Sequence, residues 1–140
     1  METLNRPLEI MTRTLLVVDD NKSVRDSLQL LLEQRGYAVL AAAGGAEALA
    51  LFAAHAVDGA MIDVNMPGMG GLSLCRNLRT KASEAGSDFP VWMMTGAPTL
   101  DLERAARESG ALTLLAKPFD YDGLFRWFEA QFGGAPEVSA

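Results

Sequence analysis

Cysteine and histidine are scarce in this sequence. Its 140 residues include one cysteine, Cys75, and one histidine, His55. A single cysteine cannot form an internal disulfide, which fits a reducing compartment and predicts a cytoplasmic location. Neither residue falls at the end of a predicted strand, where the other reactive side chains occur. This placement argues against a zinc site and against a Ser-His-Asp or Cys-His catalytic group.

Excess positive charge and long apolar runs are also missing. The sequence contains twelve Lys and Arg residues and eighteen Asp and Glu residues, which gives a formal charge of -6. This negative charge argues against nucleic acid as a partner. No apolar run approaches the ~20 residues of a membrane-spanning helix, and the N-terminus lacks the apolar stretch of a secretory signal. With 49% hydrophobic residues, the chain has the composition of a globular domain rather than of a disordered or membrane protein.

Five short apolar runs alternate with segments of helical periodicity. The runs cover residues 15–18, 38–42, 59–62, 91–94 and 112–116. Continuous apolar runs are typical of strands buried on both faces, so the pattern predicts an α/β fold with a five-stranded parallel sheet and helices on both faces. We expect one domain over residues 12–132, an N-terminal extension over 1–11 and a flexible tail over 133–140.

Polar side chains end four of these five runs. Asp19 and Asp20 follow the first, Asp63 the third, Thr95 the fourth and Lys117 the fifth. Parallel strands present their carboxyl ends at one edge of a sheet, where ligands of such folds bind. We therefore expect three carboxylates, a hydroxyl and an ammonium group to meet there.

Such a cluster has an electrostatic problem, because two carboxylates about 4 Å apart repel by about 4 kcal/mol at an effective dielectric constant near 20. Either one carboxyl group keeps its proton or a cation lies among them. Oxygen ligands at an edge open to solvent favour Mg²⁺. A metal ion beside a carboxylate nucleophile, an ammonium group and a hydroxyl suits phosphoryl transfer to an aspartate.

Four motifs occur in a familiar order: Leu-Val-Val-Asp-Asp-Asn at 16–21, Met-Ile-Asp-Val-Asn-Met-Pro-Gly-Met at 61–69, Met-Thr-Gly at 94–96 and Lys-Pro-Phe at 117–119. Together they resemble the receiver domain of two-component response regulators, here of the stand-alone, single-domain type. The resemblance implies a flavodoxin-like (βα)5 fold with strand order 2-1-3-4-5. It also implies a cis peptide bond between Lys117 and Pro118.

The resemblance further implies a Mg²⁺-dependent phosphoacceptor site. Asp63 would accept the phosphoryl group and contribute to the Mg²⁺ site with Asp20 and the main-chain carbonyl of Asn65, while Asp19 would act mostly through a metal-bound water. Lys117 would pair with the incoming phosphoryl group. Such a domain is not an enzyme with its own substrate, since it promotes only its own phosphorylation and dephosphorylation.

Signalling partners are implied by the same resemblance. The phosphoryl donor would be a sensor histidine kinase or a phosphotransfer protein. Thr95 would be the switch hydroxyl that moves toward the phosphate, and the signal would leave through a protein bound at the face of helix 4, strand 5 and helix 5, with a homodimer also possible. Trp127 falls beside the apolar stripe of the last helix, so partner contact and flank packing both stay open.

Two positions depart from the family pattern. Leu114 stands three residues before Lys117, where Tyr or Phe is usual, so a phosphorylation-independent pseudo-receiver stays an alternative. Gly70 and Gly71 stand where an acidic residue before a glycine is commoner, which predicts a looser start of the third helix. A phosphohydrolase with an aspartate nucleophile is a further alternative, although 140 residues leave no room for a cap over the site.

Overall fold

Strands and helices alternate along the chain in the computed structural model, which describes residues 12–133. The strands of this region are β1 (Thr14–Val18), β2 (Ala38–Ala42), β3 (Gly59–Asp63), β4 (Val91–Thr95) and β5 (Thr113–Ala116). Its helices are α1 (Lys22–Gln34), α2 (Gly45–Ala54), α3 (Gly71–Glu84), α4 (Leu100–Glu108) and α5 (Tyr121–Phe132). All strand pairs are parallel, and the order is β2-β1-β3-β4-β5, so the predicted fold is confirmed.

The limits of the predicted domain fall close to the ends of the described region. The first strand starts at Thr14 and the last helix ends at Phe132, followed by Gly133 in the left-handed conformation with φ 87°. The predicted extension, residues 1–11, lies outside the described residues, as does the predicted tail from residue 134 onward. Within residues 12–133, no helix combines the length and the apolar character needed to cross a bilayer.

Helices cover both faces of the sheet. Alternate residues of the strands point to opposite faces, so Leu16 packs in one apolar cluster and Leu15 in the other. The first cluster holds the buried faces of α2, α3 and α4, and the second holds those of α1 and α5. Trp92 is fully buried in the second cluster, and Cys75 is buried in the first.

Burial differs between the central and the edge strands. All residues of β3 and β4 are buried, whereas β2 and β5 each contain a residue exposed to solvent, Ala38 and Ala116. An edge strand has one neighbour only, and its flanking helices cover it incompletely. The expectation of strands buried on both faces therefore holds for the centre of the sheet and not for its edges.

Gly70 and Gly71 place α3 against the end of β3. A Cβ atom on Gly71 would overlap the carbonyl oxygen of Asp63 and would lie 2.9 Å from the Cα atom of Val64. The Gly71 amide donates a 3.0 Å hydrogen bond to the Val64 carbonyl, so the two elements meet backbone to backbone. A Cβ on Gly70 would meet nothing within 4 Å, and Gly70 offers no side-chain cap to the helix.

We expect Gly71→Ala to lower the free energy of unfolding by about 1 to 3 kcal/mol, because the added methyl group pushes α3 away from the end of β3. Gly70→Ala is the matched control. The space around Gly70 is open and its φ is -73°, so alanine fits there and should change stability by about 1 kcal/mol or less. Urea unfolding measures both values. Equal stabilities of the two variants would contradict the close approach.

Candidate functional site

The register of the sheet brings the acidic residues together. Val18 at the end of β1 pairs with Ile62 of β3, so the residues that follow them, Asp19 and Asp63, lie side by side at the carboxyl edge. Asp20 is the next residue along the chain. Carboxylate oxygens of the three aspartates all lie within 4.8 Å of one another.

Asp19 is the most constrained of the three. Its residue is fully buried, and its Oδ1 accepts a 2.9 Å hydrogen bond from the amide of Asn21. Its Oδ2 accepts a 2.7 Å hydrogen bond from Nζ of Lys117. Both carboxylate oxygens of Asp19 are therefore engaged by the protein itself, whereas Asp20 is exposed to solvent.

Lys117 links the far side of the sheet to the acidic cluster. The last residue of β5, Ala116, pairs with Thr95 of β4, and the Lys117 amide donates a 2.8 Å hydrogen bond to the Thr95 carbonyl. From this position Nζ lies 2.7 Å from Oδ2 of Asp19 and 3.6 Å from Oδ1 of Asp63. The peptide bond between Lys117 and Pro118 is cis, as the family resemblance implied.

The pKa of Asp63 is raised above the ordinary value of 3.8. Burial is the largest cause, and the negative charges of Asp19 and, more weakly, Asp20 add to it. The Lys117 ammonium group and a hydrogen bond from the Asn65 backbone lower the pKa in part. Three carboxyl groups thus share one side-chain ammonium group, and a further cation would relieve the remaining repulsion.

Thr95 and Asn65 both belong to segments next to Asp63, the end of β4 and the loop after β3. Thr95 is fully buried at the end of β4, one residue beyond Met94, which pairs with Asp63. Its hydroxyl oxygen accepts a 3.1 Å hydrogen bond from the Ala97 amide, within the loop that leaves the strand. Asn65 is exposed in the loop after β3.

Arg25 belongs to this site and was missed in the sequence. Its Nη1 atom donates a 2.8 Å hydrogen bond to the main-chain carbonyl of Asp19. A signal was present, because α1 has Lys22 and Arg25 near its start and no acidic residue in its first turn. The positive end of the helix dipole disfavours cations there, so a cation in that position points to nearby negative groups.

The family comparison gives a clear result. The model for the response regulator receiver domain matches residues 15–128. The chain belongs to the response regulator receiver family. Receiver domains are regulatory phosphoacceptor domains of two-component signalling, and they bind Mg²⁺ at an acidic pocket.

Curated relatives of this receiver are longer proteins. The response regulator MprA of Mycobacterium sp. strain KMS is 39% identical over 110 residues, which cover 79% of this chain and 46% of the relative. MprA of Mycobacterium bovis strain BCG / Pasteur 1173P2 is 38% identical over 114 residues, covering 81% of this chain and 48% of the relative. The chain thus spans about half the length of the curated relatives it matches.

Solved receiver structures have the same fold. The chemotaxis protein CheY4 of Vibrio cholerae aligns with a TM-score of 0.77 and 30% identity, covering 85% of this chain and 98% of CheY4. A CheY-like receiver domain protein of Methanospirillum hungatei JF-1 aligns with a TM-score of 0.79 and 25% identity, covering 87% of this chain and 94% of that one.

We expect Asp63→Asn to raise the free energy of unfolding at pH 7. The pKa of Asp63 is raised in the folded state. At a pH between the pKa of the unfolded chain and that of the folded receiver, the folded receiver therefore keeps a proton that the unfolded chain has already released. Stability therefore falls as pH rises through this window, and asparagine removes the loss. Below pH 3.8 both forms of the wild type hold the proton, so the advantage of the variant disappears.

Urea unfolding of the receiver and of Asp63→Asn across this pH range measures the difference. Asp88→Asn is the control, since the side chain of Asp88 is 88% exposed and lies away from the cluster. A stability difference for Asp63→Asn that does not change with pH would contradict the assignment.

Proposed function

We propose that this receiver accepts a phosphoryl group on Asp63 from a sensor histidine kinase or a phosphotransfer protein, and that phosphorylation changes its binding to a downstream protein. One observation carries the proposal. The carboxyl group of Asp63 lies at the carboxyl edge of the sheet beside two other carboxylates, with the Lys117 ammonium group 3.6 Å away.

The transfer is a displacement at phosphorus. A carboxylate oxygen of Asp63 forms the new P–O bond, while the P–N bond of the donor phosphohistidine breaks and its electron pair returns to the imidazole ring. Asp63 has to be ionised for this attack. Burial works against ionisation, and the Lys117 charge and the Asn65 amide favour it.

The donor set fits Mg²⁺. It consists of oxygen atoms, includes the exposed Asp20, and holds three carboxylates within 4.8 Å. Asp20, Asp63 and the Asn65 carbonyl would hold the ion, and Asp19 would act through a water molecule because Asn21 and Lys117 occupy both of its carboxylate oxygens. When bound, Mg²⁺ neutralises charge on the transferred group.

Lys117 and Thr95 would respond to the new charge on Asp63. Nζ of Lys117 lies between Asp19 and Asp63, so a short movement lets it pair with phosphoryl oxygens. The Thr95 hydroxyl would leave the Ala97 amide to donate a hydrogen bond to the phosphate. That movement would shift the loop between β4 and α4 and transmit the signal.

The partner would bind the face made by α4, β5 and α5. Two large apolar side chains there are exposed, Leu100 at 79% and Trp127 at 41%. Leu114 of β5 lines a hollow of about 390 Å³ next to Trp127. A second copy of the chain is another possible occupant of this face, and the single Cys75 fits a cytoplasmic location for the whole interaction.

Incubation with acetyl phosphate and Mg²⁺ tests the phosphoacceptor. We expect intact mass spectrometry to show one added phosphoryl group per chain, no addition to Asp63→Asn, and normal addition to the control Asp88→Asn. Lys117→Met should slow the addition roughly 100-fold, because it removes the donor aimed at the transferred group. A wild type that takes up no phosphate would support the pseudo-receiver, and repeated turnover of a phosphate ester would support the phosphohydrolase.

Fluorescence tests the proposed output face. Addition of Mg²⁺ and beryllofluoride, a phosphoryl mimic, should change the emission of the half-exposed Trp127. In Trp127→Phe the remaining Trp92, which is fully buried in the second apolar cluster, should give little or no change. An unchanged wild-type spectrum, in a sample that mass spectrometry shows to be phosphorylated by acetyl phosphate, would exclude this face as the route of the signal.

A further inference from the structure

We propose that Arg25 is a positioning residue for the cation site, because it fixes the backbone from which the Asp20 carboxylate reaches the cluster. This inference rests on the proposed function, in which Asp20 helps to hold Mg²⁺. In the described part of the chain, Arg25 forms no hydrogen bond or ion pair with the carboxylate of Asp19 or of Asp20. Its Nη1 atom donates a 2.8 Å hydrogen bond to the carbonyl of Asp19, six residues earlier in the chain.

Asp20 lies between two peptide groups that are both held. The peptide group before it contains the Asp19 carbonyl, which accepts from Arg25. The peptide group after it contains the Asn21 amide, which donates to Oδ1 of Asp19 at 2.9 Å. Fixing both groups restricts φ and ψ of Asp20, and with them the direction in which its side chain leaves the backbone.

The Asp20 side chain depends on this restraint more than its neighbours do. Asp19 is buried and bound through both carboxylate oxygens, and the carboxyl group of Asp63 is mostly buried. Asp20 is exposed, and in the region from residue 12 to residue 133 no hydrogen bond holds its carboxylate. The backbone therefore sets which rotamers of Asp20 bring its oxygen within reach of the other two carboxylates.

The contact of Arg25 is directed to a main-chain oxygen, which separates its role from that of Lys117. Lys117 is the side-chain cation that lowers the pKa of Asp63. Arg25 is partly buried, and its guanidinium group lies near the start of α1, where the helix dipole disfavours a positive charge. Its hydrogen bond to the Asp19 carbonyl offsets this unfavourable position of the charge.

Isothermal titration of the unphosphorylated full chain with MgCl₂, at constant ionic strength, tests the inference without any phosphoryl transfer. We expect Arg25→Met to raise the Mg²⁺ dissociation constant about tenfold, because it keeps the aliphatic stem and removes a charged hydrogen-bond donor. Arg25→Lys keeps the charge and one donor group, so its dissociation constant should fall between those of the wild type and Arg25→Met.

Arg35→Met is the matched control. Arg35 follows the same helix and its loss changes the net charge equally, but its guanidinium group lies over the ring of Phe125, 3.9 Å from the centroid, away from the site. Its Mg²⁺ dissociation constant should equal that of the wild type. Loss of either positive charge should by itself favour Mg²⁺ binding, so equal weakening by Arg35→Met and Arg25→Met would point to a general loss of structure rather than to the position of Arg25, and would overturn the inference.

The other possible results for Arg25→Met, Arg25→Lys and the wild type also support or overturn the inference. Wild-type affinity in Arg25→Met overturns the inference. Should Arg25→Met fail to fold, Arg25→Lys decides alone, since weaker binding than the wild type supports the inference and equal binding overturns it. Arg25-dependent Mg²⁺ binding without phosphate uptake on Asp63 would support the positioning role while the proposed function fails. Absence of Mg²⁺ binding in the wild type would overturn both.

Discussion

The crowding of three carboxyl groups around one ammonium group is the constraint on which this receiver depends. Lys117 is hydrogen-bonded to Asp19 and lies 3.6 Å from Asp63, so one ammonium group faces two carboxyl groups, and it lowers the pKa of Asp63 that burial raises. The compensation is incomplete, because the pKa of Asp63 stays raised. A site in this state gains from a cation and can respond to a transferred phosphoryl group, both of which change the local balance of charge.

The backbone around the cluster is held closely enough to keep these charges in place. Gly71 lets the start of α3 pack directly against the end of β3. The backbone of Asp63, the last residue of that strand, is therefore in close contact with the helix. The Asn21 side chain caps α1 by accepting from the Val24 amide, which fixes where the helix starts after the two aspartates. Gly71 and the Asn21 cap thus help to position the charged groups of the site, although both residues are uncharged.

The same sheet connects the site to the proposed output face. Thr95 and Lys117 stand at the ends of neighbouring strands and are joined by the hydrogen bond between the Lys117 amide and the Thr95 carbonyl. Leu114 lies three residues before Lys117 and packs against the apolar cluster that also contains Ala106 of α4. A shift of the β4–α4 loop would therefore act on a surface that is leucine-lined rather than aromatic at this position.

The amino-acid sequence by itself determined the order of strands and helices and the residues at the strand ends. Strands of a parallel sheet are buried on both faces and are therefore apolar along their length. The polar residues that follow them, Asp19, Asp63 and Lys117, accordingly mark the carboxyl edge of the sheet. Only the tertiary structure decided that Lys117 bonds to Asp19, ninety-eight residues away, and that Arg25 holds a main-chain carbonyl. Hydropathy patterns record which side chains avoid water, but hydrogen-bond partners follow from distances and directions that exist only once the strands and helices have packed.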